Sequence, residues 1–205
     1  NMVGALSGTA VAKTVGVGLV ETASVTQVTV ISALLAAIIW DIITWYFGLP
    51  TSSSHAILSS LVGAAIATAG TEVIIQKGVY KILLGLIFSP LVGLALGFLL
   101  MLFLMWVFKR SAPSLVSRLF NRLQIVSAAY MAFSHGSNDA QKTMGIITMA
   151  LISYKGLSDF HVPFWVIALC AVSMALGTAA GGWRIIKTLG VRLVHLRPIN
   201  GFAAE

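Results

Sequence analysis

The sequence predicts an all-α membrane protein, a polytopic helical bundle with inverted-topology repeats and broken or re-entrant helices. Of its 205 residues, 58% are hydrophobic and only 9% are charged, whereas a soluble domain usually carries about 25% charged residues. Apolar runs long enough to cross a bilayer recur along the chain. They lack the alternation of a membrane-spanning barrel, so we expect the spans to be helices.

Apolar and polar segments alternate in order along the chain. In the first half we expect an apolar segment at 2–20, a span at 25–47, a break at 48–55, a short helix at 56–70, a polar loop at 71–81 and a span at 82–108. In the second half we expect a basic loop or surface helix at 109–122, an apolar segment at 123–152 broken near Gly136, a polar loop at 153–163, a span at 164–182 and a basic amphipathic stretch at 183–197.

The distribution of charge predicts the orientation of these spans. Segments 109–122 and 183–197 each hold four Lys or Arg residues and no acid, so both should lie in the cytoplasm of a multi-pass protein of the cell membrane. The net charge of +7 is then explained by topology. A nucleic-acid partner is not expected, and the lipid bilayer is the expected surrounding.

An internal repeat indicates how the chain is organised. KTVGVGLV at 13–20 matches KTLGVRLV at 187–194 in six of eight positions, and the span count places the two copies on opposite sides of the membrane. This is the inverted repeat of many secondary transporters. We expect 1–108 to be the end of a first repeat, 109–122 a cytoplasmic loop and 123–205 the start of a second. The chain would then be the middle of a longer protein, with a GxNDxxN-like motif before it and a PxSxxH-like motif after it.

The break at 48–55, GLPTSSSH, predicts an anion site. It carries four consecutive hydroxyls, on Thr51, Ser52, Ser53 and Ser54, which are residues that cap helix N-termini. A helix begins here, and its free N–H groups suit a phosphate-like anion. Non-helical backbone at membrane depth is tolerated where it lines a cavity.

A second polar motif, SHGSNDAQK at 134–142, interrupts an apolar segment. Asn138 and Asp139 are costly inside a membrane unless they are paired or hold an ion, so they are candidates for a coupling ion, either sodium or a proton. Lys142 lies at i+3 from Asp139 and can pair with it or face an anion.

Three further residues are candidates for the coupling ion or proton. Asp41 lies within span 25–47 and either joins the site or pairs across helices. His55 and His135 each stand without a second His or Cys at metal-ligand spacing. We expect each imidazole to orient a hydroxyl or carboxylate, and no metal site or cofactor is predicted.

These motifs resemble the inorganic phosphate transporter family, the low-affinity phosphate symporters of bacteria and their eukaryotic relatives. The resemblance rests on segments 48–55 and 134–145 and on the two KTxG elements. It implies that paired motifs meet near the membrane midplane and are exposed alternately by an elevator-like or rocking movement. It also implies phosphate contacts from Thr51, Ser52, Ser53 and Ser54, and phosphate and ion contacts from Asn138 and Asp139.

One departure from the family pattern concerns the coupling ion. Sodium-using members commonly carry Asn three residues after the motif Asp, where this chain has Lys142. A cation there favours phosphate over sodium, so we expect a proton-coupled phosphate symporter that is not an enzyme. Phosphate carried as a metal complex and a homodimeric assembly stay open. So do two alternative functions, a carrier for another oxyanion such as sulfate and a passive anion channel.

Overall fold

The computed structural model describes residues 1–155, 159–188 and 198–204, and these are predominantly α-helical. The helices in chain order are α1 (Met2–Ala5), α2 (Ala10–Gly18), α3 (Gln27–Phe47), α4 (Ser53–Ala69), α5 (Gln76–Phe108), α6 (Pro113–Lys155), α7 (Phe164–Lys187) and α8 (Pro198–Ala204). Short 3₁₀ turns lie at Thr22–Ser24 and Thr71–Val73. The prediction of an all-α membrane protein is confirmed.

Among the described residues, three helices are long and apolar enough to cross a membrane, namely α3, α5 and α7. They correspond to the spans predicted at 25–47, 82–108 and 164–182. Helix α4, with 17 residues, is apolar but shorter, as predicted for 56–70. Helix α5 begins six residues earlier than expected and continues through Pro90.

The predicted break near Gly136 is wrong, because α6 is one continuous helix of 43 residues. It begins with Pro113, a residue whose missing N–H is harmless at the first helical position. Most of the basic segment 109–122 is therefore helical. The broken element is instead the first apolar segment, where non-helical residues 6–9 separate α1 from α2.

The two halves of this broken segment pack closely against α6. A Cβ atom placed on Gly145 would lie 2.5 Å from the carbonyl oxygen of Ala12, so glycine lets the two backbones approach. Gln141 Oε1 accepts a hydrogen bond of 2.9 Å from the N–H of Val11. Gln141 is only 4% exposed. A polar residue of the motif at 134–142, called here the α6 motif, thus accepts a hydrogen bond from the first turn of α2 without any break in α6.

The loops between helices define two ends of the bundle. At one end, Val20 and Ile74 form an antiparallel bridge, and Ser153 Oγ donates to the carbonyl of Val25 at 2.7 Å. At the other end, Phe120 stacks edge-on with Phe108 and Phe202. The motif of α6 lies between these ends, where the C-terminus of α3 and the N-terminus of α4 approach it.

Part of the repeat prediction lies outside the described residues. Of the second copy at 187–194, the structure describes 187 and 188 only. The basic stretch 183–197 is described as far as residue 188, and α7 continues to Lys187 within it. The inverted relation of the two copies and the three-part division of the chain stay predictions.

Candidate functional site

The serine loop, residues 48–52, connects α3 to α4. Gly48 adopts a left-handed conformation with φ of 67°, which glycine reaches without steric cost, and this ends α3. Ser52 caps α4 by accepting a hydrogen bond of 3.3 Å from the N–H of His55. The loop therefore directs the first turn of α4 toward the middle of α6.

Two hydroxyls from the first turn of α4 meet the α6 motif. Ser53 Oγ donates to Asp139 Oδ2 at 3.1 Å. Lys142 Nζ donates a hydrogen bond to Ser54 Oγ. Residues more than 80 positions apart in sequence thus form one polar cluster.

Asp139 is the centre of this cluster. Its Oδ1 lies 2.6 Å from Lys142 Nζ, and its Oδ2 lies 3.1 Å from His135 Nε2. The side chains of Asp139 and Lys142 are 19% and 16% exposed, whereas that of His135 is 48% exposed. The carboxylate is therefore mostly removed from solvent and is stabilised by an adjacent ammonium group.

His135 connects Asp139 to α1 and α7. Its Nδ1 lies 3.2 Å from Asn1 Oδ1, and Asn1 Nδ2 donates to Thr178 Oγ1 at 2.9 Å. Thr178 Oγ1 in turn donates to the carbonyl of Met174 at 2.8 Å. A continuous series of hydrogen bonds thus runs from α7 through α6 to α4.

A cavity of about 640 Å³ opens beside this cluster between α3, α4, α6 and α7. Ser53, His135, Asp139 and Lys142 line it, and so does Asp41 of α3. Asp41 Oδ1 is buried and accepts no hydrogen bond from a described residue. The sequence left open whether Asp41 joins the site or pairs across helices, and the structure places it at the shared cavity.

The structure does not bring every predicted site residue to Asp139. Thr51 Oγ1 accepts a hydrogen bond of 3.3 Å from Trp40 Nε1, and Ser52 serves as the helix cap. Asn138 folds back on its own helix and donates to the carbonyl of Ser134 at 2.9 Å. The imidazole of His55 is exposed and forms no hydrogen bond to a described residue.

Comparison with known proteins shows which family the chain belongs to. The sequence profile of the phosphate transporter family matches residues 1–205. The chain belongs to the phosphate transporter family. A probable low-affinity inorganic phosphate transporter of Bacillus subtilis is 48% identical over 208 residues, covering 100% of this chain and 62% of the relative. One of Rhizobium meliloti is 46% identical over 200 residues, covering 97% and 60%.

A solved structure has the same fold as this phosphate transporter family chain. It is described as the sodium-dependent phosphate transporter and matches with a TM-score of 0.85 at 22% identity, covering 98% of this chain and 69% of that one. The chain spans about three fifths of the length of these two relatives. At this identity, the structural match establishes the fold of this family member.

Sequence reasoning missed two groups of residues around the site. One group is Asn1 and Thr178, which hold His135 from the side opposite to Asp139. The other is a contact between α3 and α7, where Arg184 donates to the carbonyl of Tyr46 and lies 5.3 Å from the ring centroid of Trp45. Small residues before Arg184, in the run GTAAGG at 177–182, were the available signal for a close helix approach.

Proposed function

We propose that this protein carries inorganic phosphate across the cell membrane as a multi-pass symporter driven by protons. One observation supports the proposal above the others. The first turn of α4 and the Asp139–Lys142 pair of α6 meet at the edge of a cavity. An anion-binding helix terminus, a cation and a hydrogen-bond acceptor are thereby brought within reach of one small ligand.

Phosphate would bind at the N-terminus of α4. The N–H groups of Ser53 and Ser54 donate to no described acceptor, as expected for the first turn of a helix. The Ser54 hydroxyl and the Lys142 ammonium lie beside them. The Ser53 hydroxyl directs its single hydrogen to Asp139 Oδ2 and so positions the carboxylate. Free N–H groups, a hydroxyl, an ammonium and the helix dipole are groups that recognise phosphate in proteins.

Asp139 favours phosphate over sulfate. A carboxylate offers about four acceptor positions, and Lys142, His135 and Ser53 occupy three of those on Asp139. The remaining position, on Oδ1, can accept the O–H of monohydrogen phosphate. Sulfate has no hydrogen to donate, so it would leave this acceptor facing an anion.

The same three contacts favour a proton over sodium at Asp139. Sodium is a hard cation that needs several oxygen ligands, in the manner of other hard cations. Lys142 Nζ at 2.6 Å from Oδ1 also places a positive charge next to the acceptor position that no described residue occupies. The structural neighbour is described as sodium-dependent. For this protein, the uptake experiment described below distinguishes coupling to protons from coupling to sodium.

The transport cycle that we propose is alternating access between the two repeats. Residues 1–108 would contribute α4 from the first repeat, and residues 123–205 would contribute the α6 motif from the second. Their contact at Ser53 and Asp139 would then cross the interface between the moving parts. The basic segment 109–122 would face the cytoplasm.

Uptake of labelled phosphate into liposomes that contain the natural full-length protein tests this proposal. We expect an inward proton gradient, with the outside acidic, to drive phosphate accumulation. Arsenate should compete with phosphate for uptake, and sulfate should not. Uptake driven by sodium alone would refute proton coupling. Competition by sulfate equal to that by arsenate would favour a general oxyanion carrier, and ionic currents far above carrier turnover would favour a channel.

A further inference from the structure

His135 forms a polar contact through each of its ring nitrogens. Nδ1 lies 3.2 Å from Asn1 Oδ1, and Nε2 lies 3.1 Å from Asp139 Oδ2. Each contact needs one hydrogen between the two heavy atoms. A neutral imidazole carries a hydrogen on only one nitrogen, so the neighbouring groups determine how many protons this unit holds.

Thr178 fixes the orientation of the Asn1 amide. The single hydroxyl hydrogen of Thr178 is directed to the carbonyl of Met174 at 2.8 Å. Thr178 Oγ1 can therefore only accept from Asn1, at 2.9 Å, and the Asn1 atom that faces it must be the NH₂ group. The amide oxygen of Asn1 then faces His135 and accepts a hydrogen bond, so Nδ1 carries the hydrogen.

An additional proton is then required between His135 and Asp139. With Nδ1 protonated, the Nε2 of a neutral imidazole has no hydrogen, and an ionised carboxylate has none either. We propose that His135 and Asp139 share one exchangeable proton, held as imidazolium with carboxylate or as imidazole with carboxylic acid, and that this is the proton coupled to transport. This inference rests on the proposed phosphate function and adds the site of coupling.

The groups around this pair explain how proton and phosphate would bind together. Lys142 of α6 disfavours a second positive charge, whereas Asp41 of α3 favours one, and both line the same cavity as His135. From α4, Ser53 and Ser54 contribute only hydroxyls, and from α7, Thr178 contributes one.

A phosphate dianion beside Lys142 would offset the additional positive charge. Phosphate would then raise proton affinity, and the proton would raise phosphate affinity by the same factor. His135 is half exposed toward the cavity, so the proton is exchanged with bulk water and only an N–H or O–H bond forms or breaks.

His135→Gln tests the proposal in the full-length protein in liposomes. Glutamine keeps a side-chain amide near Asp139 but cannot gain or lose a proton. We expect accumulation driven by a proton gradient to fall to the level seen without a gradient. We also expect phosphate–phosphate exchange to slow, because His135 contacts Asp139 within the proposed site. An unfolding temperature in detergent close to that of the natural protein shows that the variant is folded. Accumulation equal to that of the natural protein would overturn the proposal.

Thr178→Val provides a second test that leaves His135 and Asp139 themselves unchanged. Without the threonine acceptor, the Asn1 amide can turn and donate to His135 Nδ1, and a neutral imidazole can then donate from Nε2 to Asp139. The additional proton is no longer required. We expect half-maximal exchange to shift to lower pH by about one unit, which corresponds to tenfold weaker proton binding.

The matched control is Thr14→Val, since Thr14 also donates to the carbonyl four residues earlier, that of Ala10 at 3.3 Å. The control should keep the pH profile of the natural protein. An unshifted profile in Thr178→Val would refute the shared proton. A natural protein that accumulates phosphate only with a sodium gradient would also refute it while leaving phosphate transport intact, and one that moves no phosphate would refute the proposed function itself.

Discussion

Removal of the Lys142 ammonium should destabilise the fold, because the negative charge of Asp139 then lacks its positively charged partner. The two groups lie 2.6 Å apart with side chains 16% and 19% exposed. With an effective dielectric constant of about 20, their Coulomb attraction is about 6 kcal/mol before the cost of desolvation. Breaking a largely buried pair from one side costs about 3–5 kcal/mol. Because His135 and Ser53 still contact the carboxylate, we expect Lys142→Met to cost about 3 kcal/mol.

A second substitution isolates the charge effect. Asp139→Asn in the Lys142→Met background removes the unpaired charge, and we expect it to recover about 2 kcal/mol, the typical cost of a buried polar group that has lost its partner. For chains of 150–250 residues, 1 kcal/mol shifts the Tm by about 2–4 °C, so the recovery should be about 4–8 °C.

The assay is thermal unfolding of the detergent-solubilised protein at neutral pH without phosphate, followed by circular dichroism. Lys13→Met is the control, because Lys13 is exposed on α2 and forms no ion pair with a described residue. Its Tm should stay close to that of the natural protein. If Lys142→Met and the double variant unfold at the same temperature, the unpaired charge on Asp139 costs no stability and the electrostatic account of the site is wrong.

Two further predictions concern helix packing. Gly145→Ala should lower the stability by about 1–3 kcal/mol, because its Cβ would lie 2.5 Å from the carbonyl oxygen of Ala12. The control Gly85→Ala, with no described atom within 4 Å of its Cβ, should be neutral or stabilise by up to about 1 kcal/mol. Thermal unfolding compares the two variants, and equal destabilisation would contradict the close packing of α2 against α6. Arg184→Gln should slow phosphate uptake and lower stability by about 1–2 kcal/mol, since it removes the hydrogen bond to the carbonyl of Tyr46 and the cation–π contacts. Unchanged uptake and Tm would show that this contact does not hold α3 in place.

The spans could be predicted from the sequence because each depends on local composition. Helices α3, α5 and α7 are continuous apolar runs, and the left-handed Gly48 followed by Pro50 ends α3 where the pattern predicts. The length of α4 also followed from its apolar run. Burial in lipid leaves few alternatives to a helix for such segments.

The course of α6 could not be predicted, because its polar residues are satisfied by distant partners. Gln141 bonds the backbone of Val11, 130 residues away, and Ser53 bonds Asp139, 86 residues away. A break near Gly136 was expected in order to explain these polar groups. Once partners from α2 and α4 satisfy them, the helix continues unbroken.

The composition of the site was only partly accessible for the same reason. Four adjacent hydroxyls look equivalent in sequence, but the helical geometry of α4 directs Ser53 and Ser54 to α6, whereas Thr51 meets Trp40. Asn1 and Thr178 carry no local pattern that links them to His135. Their role depends on how α1, α6 and α7 pack together.

Equilibrium binding of labelled phosphate to the purified full-length protein tests the central claim most directly. The Ser53→Ala/Ser54→Ala double variant removes two hydroxyls at the proposed site, and Ser59→Ala, on the exposed face of α4, is its control. A hydrogen bond to a charged group contributes about 1.5–3 kcal/mol, and 1.4 kcal/mol is tenfold in affinity. We predict a Kd raised at least about tenfold in the double variant and unchanged in the control. An unchanged Kd in the double variant would contradict a phosphate site where the N-terminus of α4 meets Asp139 and Lys142.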